Sequence, residues 1–93
     1  MNALILNDRD NVAVALSDIT RNTLVRVKTG NKTVEIRTKQ GIPFAHKFAI
    51  SNVPKGHRVY KYGEIIGKAT RPITRGQHVH VHNVESIRGK ARH

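Results

Sequence analysis

The run Gln77-His78-Val79-His80-Val81-His82-Asn83 holds three of the chain's six histidines, one at every second position. Successive side chains leave a strand on opposite faces, so this alternation predicts a β-strand. Val79 and Val81 are then expected to face a core, with His78, His80 and His82 together on the other face. Imidazoles about 6.5 to 7 Å apart along one face can bind a metal, an anion or a substrate carboxylate. The plainer reading is a solvated strand face that is rich in histidine, although histidine is not a common filler of exposed strand positions.

The elements that must hold such a cluster are short. A chain of 93 residues makes one small domain near the lower end of what buries a self-sufficient core. Its apolar content is carried by valine and isoleucine, with only two Phe, two Tyr and no Trp, which favours strands. Asn11 to Leu16 reads as a strand. Residues 24–37 read as a hairpin about Thr29-Gly30-Asn31-Lys32, whose Gly and Asn accept the positive φ of a tight turn. His46 to Ile50 and Arg58 to Tyr62 are further strands, and Tyr62 to Thr70 reads as a tight turn into another. No window carries a 3.6-residue apolar period over ten or more residues, so an all-β fold with little or no helix is expected.

One pattern recurs four times: an apolar residue, Pro or Thr, any residue, a turn-forming residue, two more, and an apolar residue. The copies begin at Ile19, Ile42, Val53 and Ile73. Each reads as a strand end, a turn and a new strand start, with Gly or Asn supplying a left-handed conformation at the fourth position. Ala45 is the odd member, and either strains its turn or marks a different backbone.

The formal charge of +11 admits nucleic acid, an anionic substrate or an acidic protein as partner. The charge is scattered, and only the tail from Arg88 to Arg92 concentrates it. Few aromatics for base stacking and no recognition-helix or RNA-binding signature argue against nucleic acid. The absence of cysteine excludes thiolate metal sites and disulfides and fits a cytoplasmic protein. The apolar run Ala3 to Leu6 is far too short for a signal peptide or a membrane span.

Four collinear segments carry a family resemblance: Asp10 to Leu16, His46-Lys47-Phe48-Ala49, Lys61 to Thr70, and His78 to Ser86. In these the chain resembles the N-terminal SAF-type β-clip domain of the altronate and galactarate dehydratases, and it is also similar to the small subunit of sulfolactate sulfo-lyase. Ala45 and Asn22 stand where the family usually has glycine. The resemblance implies a β-clip domain over residues 1–86, followed by a basic tail, 87–93, that matches the start of a linker in fused relatives. It also implies a separately encoded small subunit working with a large catalytic one and inactive alone; exposed partner-facing surface on the isolated chain is a separate route to self-association.

The implied reaction is β-elimination on a hydroxy acid, with water or sulfite leaving. The developing charge on the carboxylate needs a divalent metal or a cationic cluster, and the leaving hydroxyl needs a proton. Relatives are associated with ferrous iron, which imidazole suits. The resemblance is tightest at His80, His82 and Asn83, the first expected site residues. His46 and Lys47 follow as substrate-carboxylate or acid/base groups, against a reading of His46 as a plain turn residue. Lys61 and Tyr62 are expected to bind substrate, although Tyr62 also reads as core. His78, His80 and His82 are the expected metal ligands. The chain has only six carboxylates, with Glu85 alone after the histidines. A site of two or three His with no nearby carboxylate binds hard cations poorly, so the large subunit is expected to supply most of the ligands to Fe2+. A cap module with no site residues is the competing structural reading.

Overall fold

A computed structural model of the chain describes residues 2–5, 7–29 and 32–87, and of Thr29 only the backbone. The hairpin's central Gly30 and Asn31 and all but the first residue of the expected basic tail lie outside the described residues. Nine short strands are the regular elements of the described residues: β1 (Ala3–Leu4), β2 (Val12–Ala15), β3 (Leu24–Thr29), β4 (Lys32–Arg37), β5 (Lys47–Ala49), β6 (Arg58–Lys61), β7 (Glu64–Ala69), β8 (His78–Val79) and β9 (Val84–Ser86). The all-β expectation holds, and the fold fits the SAF β-clip. No helix of the described residues is long and apolar enough to cross a membrane.

The strands form a six-stranded sheet in the order β4-β3-β1-β2-β5-β8 and a three-stranded sheet in the order β6-β7-β9. All pairings are antiparallel except β1 with β3. The two-residue period of β2 and β5 divides the interior in two. Ala13, Ala15 and Phe48 point into a core with Val25, Val27, Ile36 and Ile42. Val12 and Ala49, from the same two strands, point into a second core with Val53, Val59, Ile73 and Val79. Alanines on the shared strands leave room for the larger side chains of both layers.

The four repeated turns are built alike. Their fourth residues Asn22, Ala45, Gly56 and Gly76 have φ of 63°, 69°, 87° and 89°. In the last three copies the following amide closes the turn, His46 N–H to Pro43 O, His57 to Pro54 and Gln77 to Thr74, each at 3.0 Å. A positive φ at the third turn position with this bond is a type II turn. Ala45 therefore keeps the common backbone and carries the strain. The turns also clip together in pairs, which the sequence pattern did not reveal. The leading residues Ile19 and Ile42 exchange two backbone hydrogen bonds, as do Val53 and Ile73.

The histidine run departs from its expected strand. β8 ends at Val79, and residues 80–83 turn back into β9. Val81 is consequently 81% exposed rather than in a core. The alternation covers too few residues to outweigh the turn that Asn83 makes, whose side chain satisfies backbone groups inside the bend. Tyr62 is likewise exposed rather than core, because it occupies a left-handed position (φ 56°) in the β6–β7 turn. The two-residue strand β1 and strand β9 were not read as strands from sequence.

Candidate functional site

The β5–β8 ladder pairs Lys47 with Val79 and Phe48 with His78. His78 thus lies across from the buried Phe48, while His46 and His80 stand one residue beyond the ladder on that same face. The rings converge. His46 Nδ1 and His78 Nε2 are 2.9 Å apart, one ring N–H donating and the other nitrogen accepting. The His46 ring stacks on His78 at 5.1 Å and on His80 at 4.9 Å between centroids, and His78 and His80 lie 5.6 Å apart and nearly parallel.

One potential ligand atom from each of His46, His78 and His80 lies within 4.8 Å of the others. This is the one such trio among the described residues, and it contains His46 where the sequence reading had His82. His82 stays at the margin, its ring 5.5 Å from that of His78, because the turn after Val79 swings it out of strand alignment. Burial pushes the His78 pKa down to about 4, helped by the charges of His46, His82, His80 and Lys47. Its imidazole is therefore neutral near neutral pH, as a metal ligand must be. The His78 backbone N–H, at the open edge of the sheet, donates to Gln40 Oε1 at 2.9 Å.

Asn83 holds this geometry from behind. It is fully buried, its Oδ1 accepts the His80 N–H at 3.0 Å and its Nδ2 donates to the His78 carbonyl at 2.8 Å. Its own carbonyl accepts the Thr70 N–H, tying the turn to the end of β7. Both ends of the amide are thus spent on backbone.

Lys47, the first residue of β5, follows His46 and so points to the opposite face. There it lines a cleft of ≈ 340 Å³ with Lys61, Ile66, Val79, His80, Val81, Val84 and Ser86. Burial, and then the charge of Lys61, lower the Lys47 pKa. Tyr62 does not line the cleft; its ring sits 4.7 Å from Lys61 Nζ in a cation–π contact. The expected residues therefore form two neighbouring groups, the histidine trio and the lysine cleft, and His80 belongs to both. His57 is exposed and lies outside both groups.

Two residues that join the sheets escaped the sequence reading as positioning groups. The nearly buried Asp10 accepts the backbone N–H groups of Tyr62 and Gly63 at 3.0 and 2.8 Å. Asn11 donates to the Arg58 carbonyl and accepts the Tyr60 N–H, both at 2.9 Å, acting as a short strand along the β6 edge. Their adjacent Asx types before an apolar strand were the available signal.

Two β-sheets with paired turns, and a histidine trio and a two-lysine cleft that share His80, make up a module that fits the β-clip. The chain belongs to the altronate/galactarate dehydratase SAF domain family, whose model matches residues 1–87. Altronate dehydratase of Escherichia coli (strain K12) is 47% identical over 77 residues, which are 83% of this chain and 15% of that relative. The (2R)-sulfolactate sulfo-lyase subunit alpha of Chromohalobacter salexigens is 40% identical over 58 residues, 62% of this chain and 62% of the relative. The corresponding subunit alpha of Paracoccus pantotrophus is 37% identical over 62 residues, 67% of this chain and 92% of the relative. The chain thus spans a small part of the dehydratase and most of the Paracoccus subunit.

Proposed function

We propose that the chain is the small subunit of a two-subunit cytoplasmic hydroxy-acid lyase, a sugar-acid dehydratase of the altronate type. The observation that carries this reading is His80, shared between a histidine trio and a cleft with two lysines, on a chain of this family. In the elimination a base removes the proton α to the carboxylate. The C–H electron pair becomes the Cα–Cβ double bond, the Cβ–O bond breaks, and the hydroxyl takes a proton and leaves as water. The enol then tautomerises to a 2-oxo acid.

His46 and His78 fit a first-row divalent cation by donor type, two imidazoles of the trio with no carboxylate, which leaves the His80 ring to carry a proton, and ferrous iron is the ion proposed. When bound, the ion supplies positive charge against the carboxylate as the α carbon loses its proton. Further ligands come from the large subunit. His80, at the junction with the cleft, is the proposed proton donor to the leaving hydroxyl. Asn83 acts as a positioning residue that fixes the His80 backbone. His82 extends the imidazole surface at the margin.

A second reading, the alpha subunit of a sulfolactate sulfo-lyase with sulfite as leaving group, is favoured by the 92% coverage of the Paracoccus subunit. One experiment separates the two. The chain is co-purified with a candidate large subunit and assayed anaerobically with ferrous iron on altronate, galactarate and sulfolactate, with and without the chain. Turnover is expected to require both polypeptides, and His80→Ala to lower it about 10²- to 10⁴-fold while the complex persists. A large subunit equally active alone would overturn the proposal.

A further inference from the structure

We infer that the cleft between Lys47 and Lys61 is a subsite for the carboxylate of a small organic acid, which the histidine trio alone does not provide. The inference rests on the lyase reading for its choice of acid, but not for the existence of the site.

Two lysines line one concave surface of ≈ 340 Å³, a size suited to a small molecule. Val79 and Val84 give the cleft apolar walls, and none of its lining residues is acidic. Lys47 is half-buried, and the charge acting on it is that of Lys61, a like charge. Two ammonium groups lining one cleft beside apolar walls repel one another, and an anion between them offsets that repulsion. Lys61 is held in place. It ends β6, Asp10 fixes the next two amides, and the Tyr62 ring lies against its ammonium group. The Lys47 backbone is fixed by its pairing with Val79. A preorganised pair of donors of this kind favours a carboxylate, with charge-assisted hydrogen bonds from both sides.

His80 lines the same cleft and also belongs to the trio on the other face of the β5–β8 ladder. A hydroxy acid anchored by its carboxylate between the lysines therefore has the imidazole of His80 as its nearest titratable neighbour among the lining residues. An acidic side chain from a partner protein offers the same chemistry. The concave shape favours a small free acid, and the experiment separates the two.

The full chain is titrated with galactarate, with altronate and with acetate at constant ionic strength, and amide NMR shifts are followed. Saturable shifts are expected at Lys47, Lys61 and Val79, with binding about tenfold weaker in Lys47→Met and in Lys61→Met. Lys39→Met, in the separate basic cleft shared by Arg21 and Arg37, is expected to bind as the wild type does. If Lys47→Met fails to fold, Lys61→Met, nearer the hairpin tip, decides alone. Equal weakening in Lys39→Met, or shifts that never saturate, would mean general attraction to a basic protein and would overturn the inference. So would lysine protection that appears only on adding a large subunit, which would assign the cleft to a partner's acidic side chain. Saturable binding without turnover in any complex would leave this site standing and remove the lyase reading. Turnover whose KM ignores both lysine substitutions would do the reverse.

Discussion

Asp10 receives the Tyr62 amide at 3.0 Å across 52 residues of sequence, and the Gly63 amide at 2.8 Å on its other oxygen. Tyr62 and Gly63 both have positive φ, so the β6–β7 hairpin turns through two left-handed residues, the type I′ geometry that matches strand twist. Such a turn leaves its amides pointing outward without a partner inside the hairpin. One carboxylate at the entrance to β2 takes both and so fixes the small sheet, and Lys61 with it, against the large one.

Asp10→Ala should accordingly cost about 2 kcal/mol, since two charge-assisted bonds are lost while the exposed amides regain water. The melting temperature should fall by about 10 °C. Asp10→Asn keeps one acceptor and should fall between. Equal stability of all three proteins in denaturant titrations would mean that the hairpin is held by its apolar contacts alone.

Ala45 makes the opposite case. It sits at φ 69° in a turn whose counterparts use Asn22, Gly56 and Gly76. A Cβ in this conformation costs about 1 to 2 kcal/mol, part of which glycine's extra unfolded-state entropy offsets. Ala45→Gly should therefore stabilise the chain by roughly 0.5 to 1 kcal/mol. Gly76→Ala should destabilise it by more than that gain, because its Cβ would collide with the Arg37 carbonyl at φ 89°. Thermal melts of the two variants should move in opposite directions. A loss of stability in Ala45→Gly would contradict the account of the turn.

Three of those turns were legible in sequence because Gly or Asn stands at a fixed offset, and the Ala45 turn was legible only through its place in the repeat. The β3–β4 hairpin was legible for a similar reason: Val25, Val27, Val34 and Ile36 alternate over enough residues to set a face. The histidine run was misread because alternation is a reliable signal only over a strand's full length, and β8 has two residues. Asn83 ended the strand by a side-chain bond to backbone, which no periodicity encodes. His46 joined the trio through a pairing between residues 32 apart, information that lies in the fold and not in local spacing. Lys47 and Lys61 were named from resemblance, but the hairpin that carries Lys61 is held by Asp10 and Asn11, whose adjacent Asx types mark them as backbone binders without naming partners about 50 residues away.

Asn83 offers a direct test of how the trio is positioned. Asn83→Leu removes both side-chain bonds and buries the freed His80 N–H and His78 carbonyl against an apolar group. It should cost about 2 to 4 kcal/mol. Asn83→Asp keeps the acceptor for His80 N–H but sets a carboxylate oxygen against the His78 carbonyl and buries a charge, so it should cost at least as much in stability. Both should broaden the ring resonances of His80 and His82 in NMR spectra, since the turn is no longer pinned. Sharp, unshifted imidazole signals in Asn83→Leu would show that the turn holds its shape without the amide.

The metal-free chain should also lose stability in acid through His78. Its folded pKa is lowered to about 4, chiefly by burial and then by His46, His82, His80 and Lys47, which surround it. An unfolded histidine titrates near 6.5, so between about 6.5 and 4 the unfolded chain binds a proton that the folded chain refuses. Stability from this group is full above pH 6.5 and declines as the pH falls toward 4. Solvent screening at this partly exposed site reduces the size of the effect but not its sign. The clean measurement is a difference. Urea unfolding free energies of wild type and His78→Gln are compared at pH 7.5 and again at pH 4.5. The wild type's advantage should shrink at the lower pH, because Gln carries no proton in either state. An advantage independent of pH would mean that His78 is no harder to protonate in the folded chain than in the unfolded one.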